Sequence, residues 1–318
     1  MAVATRPPEA VPVATEPRLR QARKPSGWSM ERRQAIAGYL FVAPALVIFL
    51  VFTILPIGIA FFLSFTNYDV FTKMDWIGSA NYSDVFQDEL FWRALANTFW
   101  YTAGSVPLSM AIGLGLALLL NQRLRGLGFY RTVYYVPVVT SMVAVAMIWI
   151  QLFDPLYGVV SNLVESVGVK GIDWLGDPNL AMPSIIAVSV WKVIGWNMLI
   201  YLAGLQGIPE YLKEAAAIDG AGRWHTFSRI TLPLLAPTTF FILVTSLIGA
   251  FQVFDQVYVM TGGGPANATT TLVHQIYNAA FKALDMGYAA AMSFVLFGII
   301  LVVSLVSMKA IRGEVAYQ

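Results

Sequence analysis

The sequence predicts an all-α integral membrane protein with six transmembrane helices. Composition is the first observation: 58% of the 318 residues are hydrophobic and 12% are charged, whereas soluble domains carry about 25% charged residues. The second observation is that the apolar residues fall into windows of about 20 residues, long enough to cross a bilayer as helices. The third is that basic residues crowd into alternate loops, as they do in multi-pass proteins.

Each predicted span follows from its own apolar window. In the first, Pro44 and Pro56 predict kinks. Before the second, residues 81–101 place acids and aromatic rings at helical spacing, which indicates either a helix along the membrane interface or an ordinary aromatic belt. Within the second, small residues recur at every fourth position and predict close packing of another helix: Ser105, Ser109, Gly113 and Ala117. The six spans are residues 36–65, 97–120, 132–153, 183–205, 238–260 and 288–308.

The distribution of Lys and Arg predicts which loops face the cytoplasm. Fifteen of the 20 basic residues lie in the N-terminal segment, the 2–3 loop, the 4–5 loop and the C-terminal segment. The positive-inside rule places those parts, and both termini, in the cytoplasm. We therefore expect three regions: a disordered basic cytoplasmic tail (1–34), a six-helix domain (35–310) with a cytoplasmic loop at 207–236, and a short cytoplasmic C-terminal tail (311–318).

The 4–5 loop predicts a helix–turn–helix at the membrane surface. Pro209 and Glu210 suit a first helical turn, and Gly220 and Gly222 end that helix. A second short helix is expected from about residue 224 to 230. The loop is too short to fold alone, so its apolar face packs either on the protein's own helix ends or on a partner.

A spaced pattern in this loop resembles the EAA loop of the inner-membrane permeases of bacterial ABC importers. The pattern is E-A-A, three residues, G, nine residues, then I-x-L-P. Three further stretches resemble the carbohydrate-uptake branch of that family, maltose and glycerol-phosphate permeases among them: LFVAPALVIFLVFTILPIGIAFFLSF (40–65), FYRTVYYVPVVTS (129–141) and VFDQVYVMTGGGPANATTTL (253–272). The likeness covers about residues 36–310 and implies the transmembrane domain of a type I ABC importer in a bacterial inner membrane.

The resemblance implies that the EAA loop docks on a separate ATPase subunit and couples ATP-driven closure to the permease. Glu214 would make a polar contact near the ATPase surface, and Gly220 would form the turn. ATP and Mg²⁺ would bind the partner, because this chain has no G-x-x-x-x-G-K-[ST] phosphate loop. The residues expected to couple the ATPase are Glu214, Ala215, Ala216, Asp219, Gly220, Ile230, Leu232 and Pro233.

Polar and aromatic residues within spans four and five predict the substrate path, because polar groups inside a membrane usually face a cavity or one another. Aromatic faces and planar amides together suit a sugar, and related permeases place substrate contacts in these two spans. The alternatives to substrate contact are that the Trp and Tyr rings belong to interfacial aromatic belts and that the Asn and Gln side chains form hydrogen bonds between helices. The candidates are Trp191, Trp196, Asn197, Tyr201, Phe251, Gln252, Phe254, Asp255 and Tyr258.

Other chemistry is not expected from this chain. Lys192 and Asp255 could pair with each other, or each could reach the outer interface. The chain has no Cys, and His225 and His274 lie in loops on opposite sides, so neither a metal site nor a catalytic constellation is predicted. We therefore expect no enzyme activity, no resident cofactor and no nucleic-acid partner.

The sequence thus predicts one permease subunit of an ATP-driven importer, forming half of the pathway for a sugar or oligosaccharide. The implied partners are a homologous second permease, two ATPase subunits, membrane lipid and an extracytoplasmic substrate-binding protein that meets the outer loops, such as TGGGPANATTTL. Glycerol 3-phosphate or its diesters are the alternative substrates. The spans contain no cluster of Arg residues that would bind a phosphate group, so the sequence favours a sugar. A stand-alone secondary transporter is disfavoured, because such a protein would have inverted repeats or a chain of intramembrane ionisable groups, and neither is seen in this sequence. A structural scaffold is also disfavoured, because it would not explain the polar residues of spans four and five.

Overall fold

The computed structural model describes residues 30–69, 71, 73–122, 126–168 and 171–315. The chain divides into two compact units, Met1–Pro56 and Ile57–Gln318. Within the described ranges the regular elements are helical, apart from one antiparallel bridge between Thr66 and Trp76. The α-helices are α1 (Met30–Phe49), α2 (Leu55–Leu63), α3 (Ala80–Gln87), α4 (Glu89–Leu120), α5 (Leu127–Val139), α6 (Met142–Leu152), α7 (Val159–Ser166), α8 (Ala181–Gln206), α9 (Glu210–Ile218), α10 (Arg223–Thr226), α11 (Leu232–Leu234), α12 (Ala236–Phe251), α13 (Asp255–Met260), α14 (Leu272–Tyr277) and α15 (Met286–Val315). The described residues also include π-helical turns at Leu50–Ile54, Phe227–Thr231 and Asn278–Lys282.

Among the described residues, five helical segments are long and apolar enough to cross a membrane, and a sixth candidate is a bent pair. The pair consists of α5 and α6, which meet at an angle of 98°. The five segments are Gln34–Leu63, Glu89–Leu120, Ala181–Gln206, Ala236–Met260 and Met286–Lys309. Between Pro44 and Pro56 the first span contains the π-helical turn Leu50–Ile54.

The bent pair crosses from one end of α8 to the other. Leu127, at the start of α5, packs in the cluster that contains Leu205, near the C-terminal end of α8. Phe153, just beyond α6, packs in the cluster of Met182 at the N-terminal end of α8. The six predicted spans are therefore found among the described residues, but the third consists of two helices joined by a bend and not of one helix over 132–153. We call the end of the bundle that carries α9 the 4–5 side and the other end the opposite side.

The break in span three is stabilised by Lys192 of span four. Thr140 and Ser141 have extended backbones, with ψ of 151° and 133°, so α5 ends inside the bundle. The Lys192 ammonium donates to the carbonyls of Pro137, Val138 and Thr140 at 3.0, 3.3 and 2.8 Å. An ammonium has three N–H donors, so all three are used, and its charge meets the negative end of the helix dipole. In the structure Lys192 therefore pairs with backbone carbonyls of span three and not with Asp255.

Replacing Lys192 by methionine removes those three donors and leaves carbonyls at the break unpaired. We expect the free energy of unfolding to fall by about 1–3 kcal/mol, seen as a lower thermal midpoint of the purified protein in detergent. Lys73→Met is the matched control, because Lys73 is an exposed lysine in the 1–2 loop. Equal midpoints for the two variants would contradict a stabilising role for Lys192.

Spans two and four pack closely along the predicted stripe of small residues. Ser105, Ser109, Gly113 and Ala117 are all buried in the structure. A Cβ atom on Gly113 would lie 2.7 Å from the Cβ of Asn197, closer than real Cβ contacts allow. The stripe therefore permits this approach, as the sequence predicts.

The boundaries differ from the predictions at three places. Span two begins eight residues early, at Glu89, because the Asp88 side chain accepts the Leu90 N–H at 2.8 Å and caps the helix. Residues 81–101 therefore belong to two helices, with α3 covering the first part and α4 the rest. The first helix, α1, begins at Met30, inside the predicted N-terminal tail. The last helix, α15, runs to Val315, inside the predicted C-terminal tail. Residues 1–29 and 316–318 of the predicted tails lie outside the described residues.

Candidate functional site

A cavity of about 320 Å³ lies between spans two, four and five, beside the break in span three. Its wall is apolar in part, with Val106, Met142 and Val190 among the lining residues. The polar side chains that line it are Tyr101, Ser105, Ser109, Ser189, Lys192, Trp196, Thr245, Ser246 and Gln256. Polar groups at this depth cost free energy unless they face a cavity or a partner. We call this space the inner cavity.

A hydrogen-bond network joins three spans at the inner cavity. The Gln256 amide donates to the Tyr101 hydroxyl at 2.9 Å and to Ser189 Oγ at 3.1 Å. The hydroxyl of Ser105 is buried and has no hydrogen-bond partner among the described residues. Hydroxyls, an amide and the Trp196 indole therefore converge on a space large enough for a small molecule.

The predicted path residues of span four separate into two groups. Trp196 lines the inner cavity and is 44% exposed. Trp191 packs edge-on against Trp149, with ring centroids 5.6 Å apart, and does not line the cavity. Asn197 is fully buried and donates to Ser109 Oγ at 3.3 Å, while Tyr201 is buried in the core near Leu205.

The predicted path residues of span five lie outside the inner cavity, because this span is interrupted between α12 and α13. Phe251 is buried against Phe99, with centroids 5.1 Å apart. Gln252 and Asp255 are exposed on either side of the interruption. Phe254 and Tyr258 stack on each other at 5.2 Å.

Phe254 and Tyr258 belong to an aromatic cluster on the opposite side. Tyr277 of α14 lies 5.1 Å from each of their rings. The Lys282 ammonium lies 5.8 Å from the Tyr258 centroid, within cation–π distance. This cluster joins span five to the 5–6 loop, away from the residues that line the inner cavity.

Sequence reasoning missed most of the polar lining, Gln256 above all. In a continuous helix Gln252 and Gln256 would share a face, four residues apart. The interruption at Gln252–Phe254 changes the helical register, so Gln256 faces the cavity and Gln252 does not. Ser105 is marked in the sequence as part of the small-residue stripe, and Tyr101 lies four residues before it. The spacing of that stripe predicts helix packing and does not predict a cavity.

The 4–5 loop is the predicted helix–turn–helix. Gly220, with φ of +77°, ends α9 in a Schellman motif: Ala221 N–H bonds to the Ala216 carbonyl at 2.8 Å and Gly220 N–H to the Ala217 carbonyl at 3.1 Å. The second helical stretch starts at Arg223 and continues as the π-helical turn Phe227–Thr231.

The two faces of the 4–5 loop have different surroundings. Ala216 is 7% exposed and packs inward, so part of the loop does rest on the protein itself. Ile218 and Trp224 are 86% and 77% exposed. Of the other residues expected to couple the ATPase, Ile230 is half-buried. The rest are exposed: Glu214, Ala215, Asp219, Gly220, Leu232 and Pro233.

The 5–6 loop is held against span two by side chains of α4. The Asn97 amide donates to the carbonyls of Asn267 and Thr270, both at 2.9 Å, and Arg93 donates to the Ala266 carbonyl at 3.3 Å. Burial, with a smaller effect of the Lys282 charge, lowers the pKa of His274 in this loop, which favours its neutral form. These hydrogen bonds hold the loop against span two, and burial favours the neutral form of the His274 imidazole.

Comparison with known proteins identifies the family. Residues 109–311 match the family described as the binding-protein-dependent transport system inner membrane component. The chain is 40% identical over 292 residues to the probable ABC transporter permease protein YesP of Bacillus subtilis, covering 90% of this chain and 94% of YesP. It is 39% identical to the lactose transport system permease protein LacF of Rhizobium radiobacter (89% and 97% covered). It is 37% identical to the sn-glycerol-3-phosphate transport system permease protein UgpA of Agrobacterium fabrum (89% and 97% covered).

Solved structures agree with this assignment. A chain of a bacterial ABC transporter involved in import of the acidic polysaccharide alginate matches with a TM-score of 0.79 and 28% identity, covering 89% of this chain and 97% of that one. The same kind of transporter in complex with an alginate pentasaccharide-bound periplasmic protein matches with a TM-score of 0.76 and 27% identity (87% and 94% covered). The resemblance inferred from the EAA loop is confirmed, and the chain belongs to the family of binding-protein-dependent transport system inner membrane components, the permeases of ABC transporters.

Proposed function

We propose that this permease forms half of the pathway for a sugar or oligosaccharide and that the inner cavity holds the substrate during import. The observation that carries the proposal is the lining of that cavity. Hydroxyl and amide groups on three spans surround an exposed indole face. All of the side chains that line the cavity are uncharged except that of Lys192. Such a lining matches the hydroxyls and the C–H faces of a sugar ring.

The charge of the inner cavity supports a sugar over glycerol 3-phosphate. Lys192 is the cation in its lining, and its three donors are used by carbonyls of span three. A phosphate group would have to compete with those bonds. The similarity to UgpA keeps glycerol 3-phosphate as the second candidate, and the similarity to LacF and to the alginate importer favours saccharides.

We further propose that the 4–5 loop docks on a separate ATPase. The support is that the loop exposes apolar side chains, Ile218 and Trp224, together with the carboxylate of Glu214. Exposed apolar groups in a patch indicate an interaction surface. ATP and Mg²⁺ would then bind the partner, and this chain would have no enzyme activity of its own.

The proposed assembly contains this chain, a second homologous permease, two ATPase subunits and a periplasmic binding protein. The distribution of basic residues supports a cytoplasmic 4–5 side, with both termini and the basic tail in the cytoplasm. The opposite side then faces outward, where the 5–6 loop would meet the binding protein. We propose the domain boundaries 1–34, 35–310 and 311–318, although the helix of the first span begins at Met30 and that of the last span reaches Val315.

The test begins with the tagged chain purified in mild detergent from its native membrane with its partners, then reconstituted in liposomes. Uptake of lactose, an alginate trisaccharide and sn-glycerol 3-phosphate is measured with ATP on the ATPase side. We expect ATP-dependent uptake of a saccharide, and Trp196→Ala to lower it about tenfold, since loss of one aromatic contact is worth about 1–1.5 kcal/mol.

Trp191→Ala is the matched comparison, because Trp191 lies in the same helix, is 40% exposed and does not line the inner cavity. It should retain most of the uptake. Uptake of sn-glycerol 3-phosphate alone would replace the saccharide assignment by the second candidate. Purification without an ATPase, with uptake independent of ATP, would refute the importer.

A further inference from the structure

A second cavity, of about 500 Å³, lies on the opposite side, where spans two and four meet the 5–6 loop. We call it the outer cavity. Its volume falls in the range of roughly 300–1,000 Å³ that is usual for small-molecule sites. The residues that line it are Arg93, Asn97, Trp100, Pro178, Asn179, Met182, Pro183, Ala266 and Ala268. Apart from the 5–6 loop, which is proposed to meet the binding protein, the proposed function uses none of these residues.

One wall of the outer cavity has a strained backbone. Ala266 and Asn267 have φ of +48° and +61°, a left-handed conformation that non-glycine residues rarely adopt. The bonds from Arg93 and Asn97 to carbonyls of this loop hold it there. Strain of this kind persists only where the surrounding structure fixes it, and it concentrates at binding sites. The wall is therefore preformed.

The chemistry of the lining suits a saccharide. Trp100 presents an indole that is 66% exposed, a large exposure for a tryptophan in a helix of the bundle. Arg93 uses one hydrogen bond on Ala266, which leaves further N–H donors of its planar fork for a ligand. Pro178, Met182 and Pro183 provide the apolar remainder. An aromatic face, planar polar groups and small apolar surfaces together match a sugar ring.

The position of the outer cavity relates it to the inner one. Trp100 and Tyr101 are neighbours in α4, and they line the outer and the inner cavity respectively. Met182 and Ser189 do the same on one face of α8, seven residues and hence about 10 Å apart. Ile185 and Ile186 are buried between them, with Ile186 packed on Gly104. The two cavities therefore lie in series along the contact of α4 with α8, separated by apolar side chains.

We propose that the outer cavity is a saccharide subsite, in which one sugar unit stacks on Trp100 and hydrogen-bonds to Arg93 before it enters the inner cavity. The inference rests on the proposed function for the direction of movement. The binding itself follows from the outer cavity alone.

Binding is tested on the purified assembly in lipid nanodiscs by titrating lactose and an alginate trisaccharide and recording tryptophan fluorescence. The chain has nine tryptophans, so the Trp100→Phe spectrum is subtracted to isolate Trp100. We expect a saturable change in the difference signal with one of the two saccharides and a weaker response in Arg93→Gln. A difference signal that stays flat with both saccharides overturns the subsite, whether or not the assembly transports.

Transport is tested in proteoliposomes at a limiting concentration of sugar-loaded binding protein. We expect Trp100→Ala to lower uptake about tenfold and Trp100→Phe to restore most of it, because Phe keeps an aromatic face. The matched control is Trp92→Ala, since Trp92 lies in the same helix, is 50% exposed and does not line the outer cavity. An equal loss in Trp92→Ala would mean that Trp100 is a membrane-interface anchor, and the subsite would be rejected.

A third measurement, the affinity of the binding protein for each nanodisc assembly, separates the subsite from a docking surface. The subsite predicts the same affinity for the wild type and Trp100→Ala. A loss of affinity equal to the loss of uptake overturns the proposal, because Trp100 would then contact the binding protein. Failure of the proposed function looks different: the wild-type assembly takes up neither saccharide, while the fluorescence titration still reports on the outer cavity.

Discussion

Gly195→Ala is expected to destabilise the folded protein and to lower its yield. In the structure a Cβ atom on Gly195 would overlap the carbonyl oxygen of Tyr134 and press on the Cα of Tyr135. Both are backbone atoms, so no side-chain rotation relieves the clash. Helices α5 and α8 would have to separate beside the break that Lys192 holds. Overpacking of this kind costs roughly 1–3 kcal/mol and occasionally more.

The measurement is the yield of monodisperse protein after detergent extraction, followed by its thermal midpoint. Gly298→Ala is the matched control, because Gly298 also lies within a spanning helix and a Cβ there meets nothing within 4 Å. Alanine is the better helix former, so the control should be neutral or slightly more stable than the wild type. Similar yields for the two variants would show that α5 and α8 do not approach as closely as the structure indicates.

Gly220→Val is expected to lower uptake by about thirtyfold while leaving the amount of inserted protein unchanged. Gly220 has φ of +77°, and forcing a β-branched residue into that region costs on the order of 2 kcal/mol, which is about thirtyfold in the population of the turn. The Schellman motif orients α9 relative to α10. A distorted turn therefore displaces Glu214 and Ile218 from the surface proposed to meet the ATPase.

Gly222→Val is the control for that experiment. Gly222 lies two residues away, and a Cβ atom added there would meet nothing within 4 Å. Its φ of −70° and ψ of 163° are values that valine adopts readily. Uptake and ATP hydrolysis are measured in the same proteoliposomes for both variants. Equal uptake by the two variants would remove the 4–5 loop from the coupling role.

The features predicted correctly from the sequence depend on local patterns. Apolar windows fix the six spans, a small residue at every fourth position fixes the packing of α4 on α8, and glycine at 220 fixes the end of α9. Each of these needs only residues within one element. The bend of span three does not, because its extended residues Thr140 and Ser141 are tolerated only when Lys192, about 50 residues later, pairs with the carbonyls they expose.

The candidate site is less predictable than the fold, for the same reason. Trp196 can be identified because an indole within a span is conspicuous in any register. Gln256 cannot be identified from the sequence, because its orientation depends on the interruption after Phe251. Trp100 cannot be identified either, because its surroundings include a loop about 165 residues further along the chain. Following polar residues along a continuous helix assigns Gln252 and Asp255 to the path; in the structure both are exposed and neither lines the inner cavity.

The partnership of Lys192 with the end of α5 has a consequence for how the chain is made. Span three by itself would carry unpaired carbonyls into the hydrocarbon, and span four by itself would carry an ammonium ion. Each polar defect is neutralised only by the other segment. The two spans should therefore leave the insertion machinery together as a hairpin.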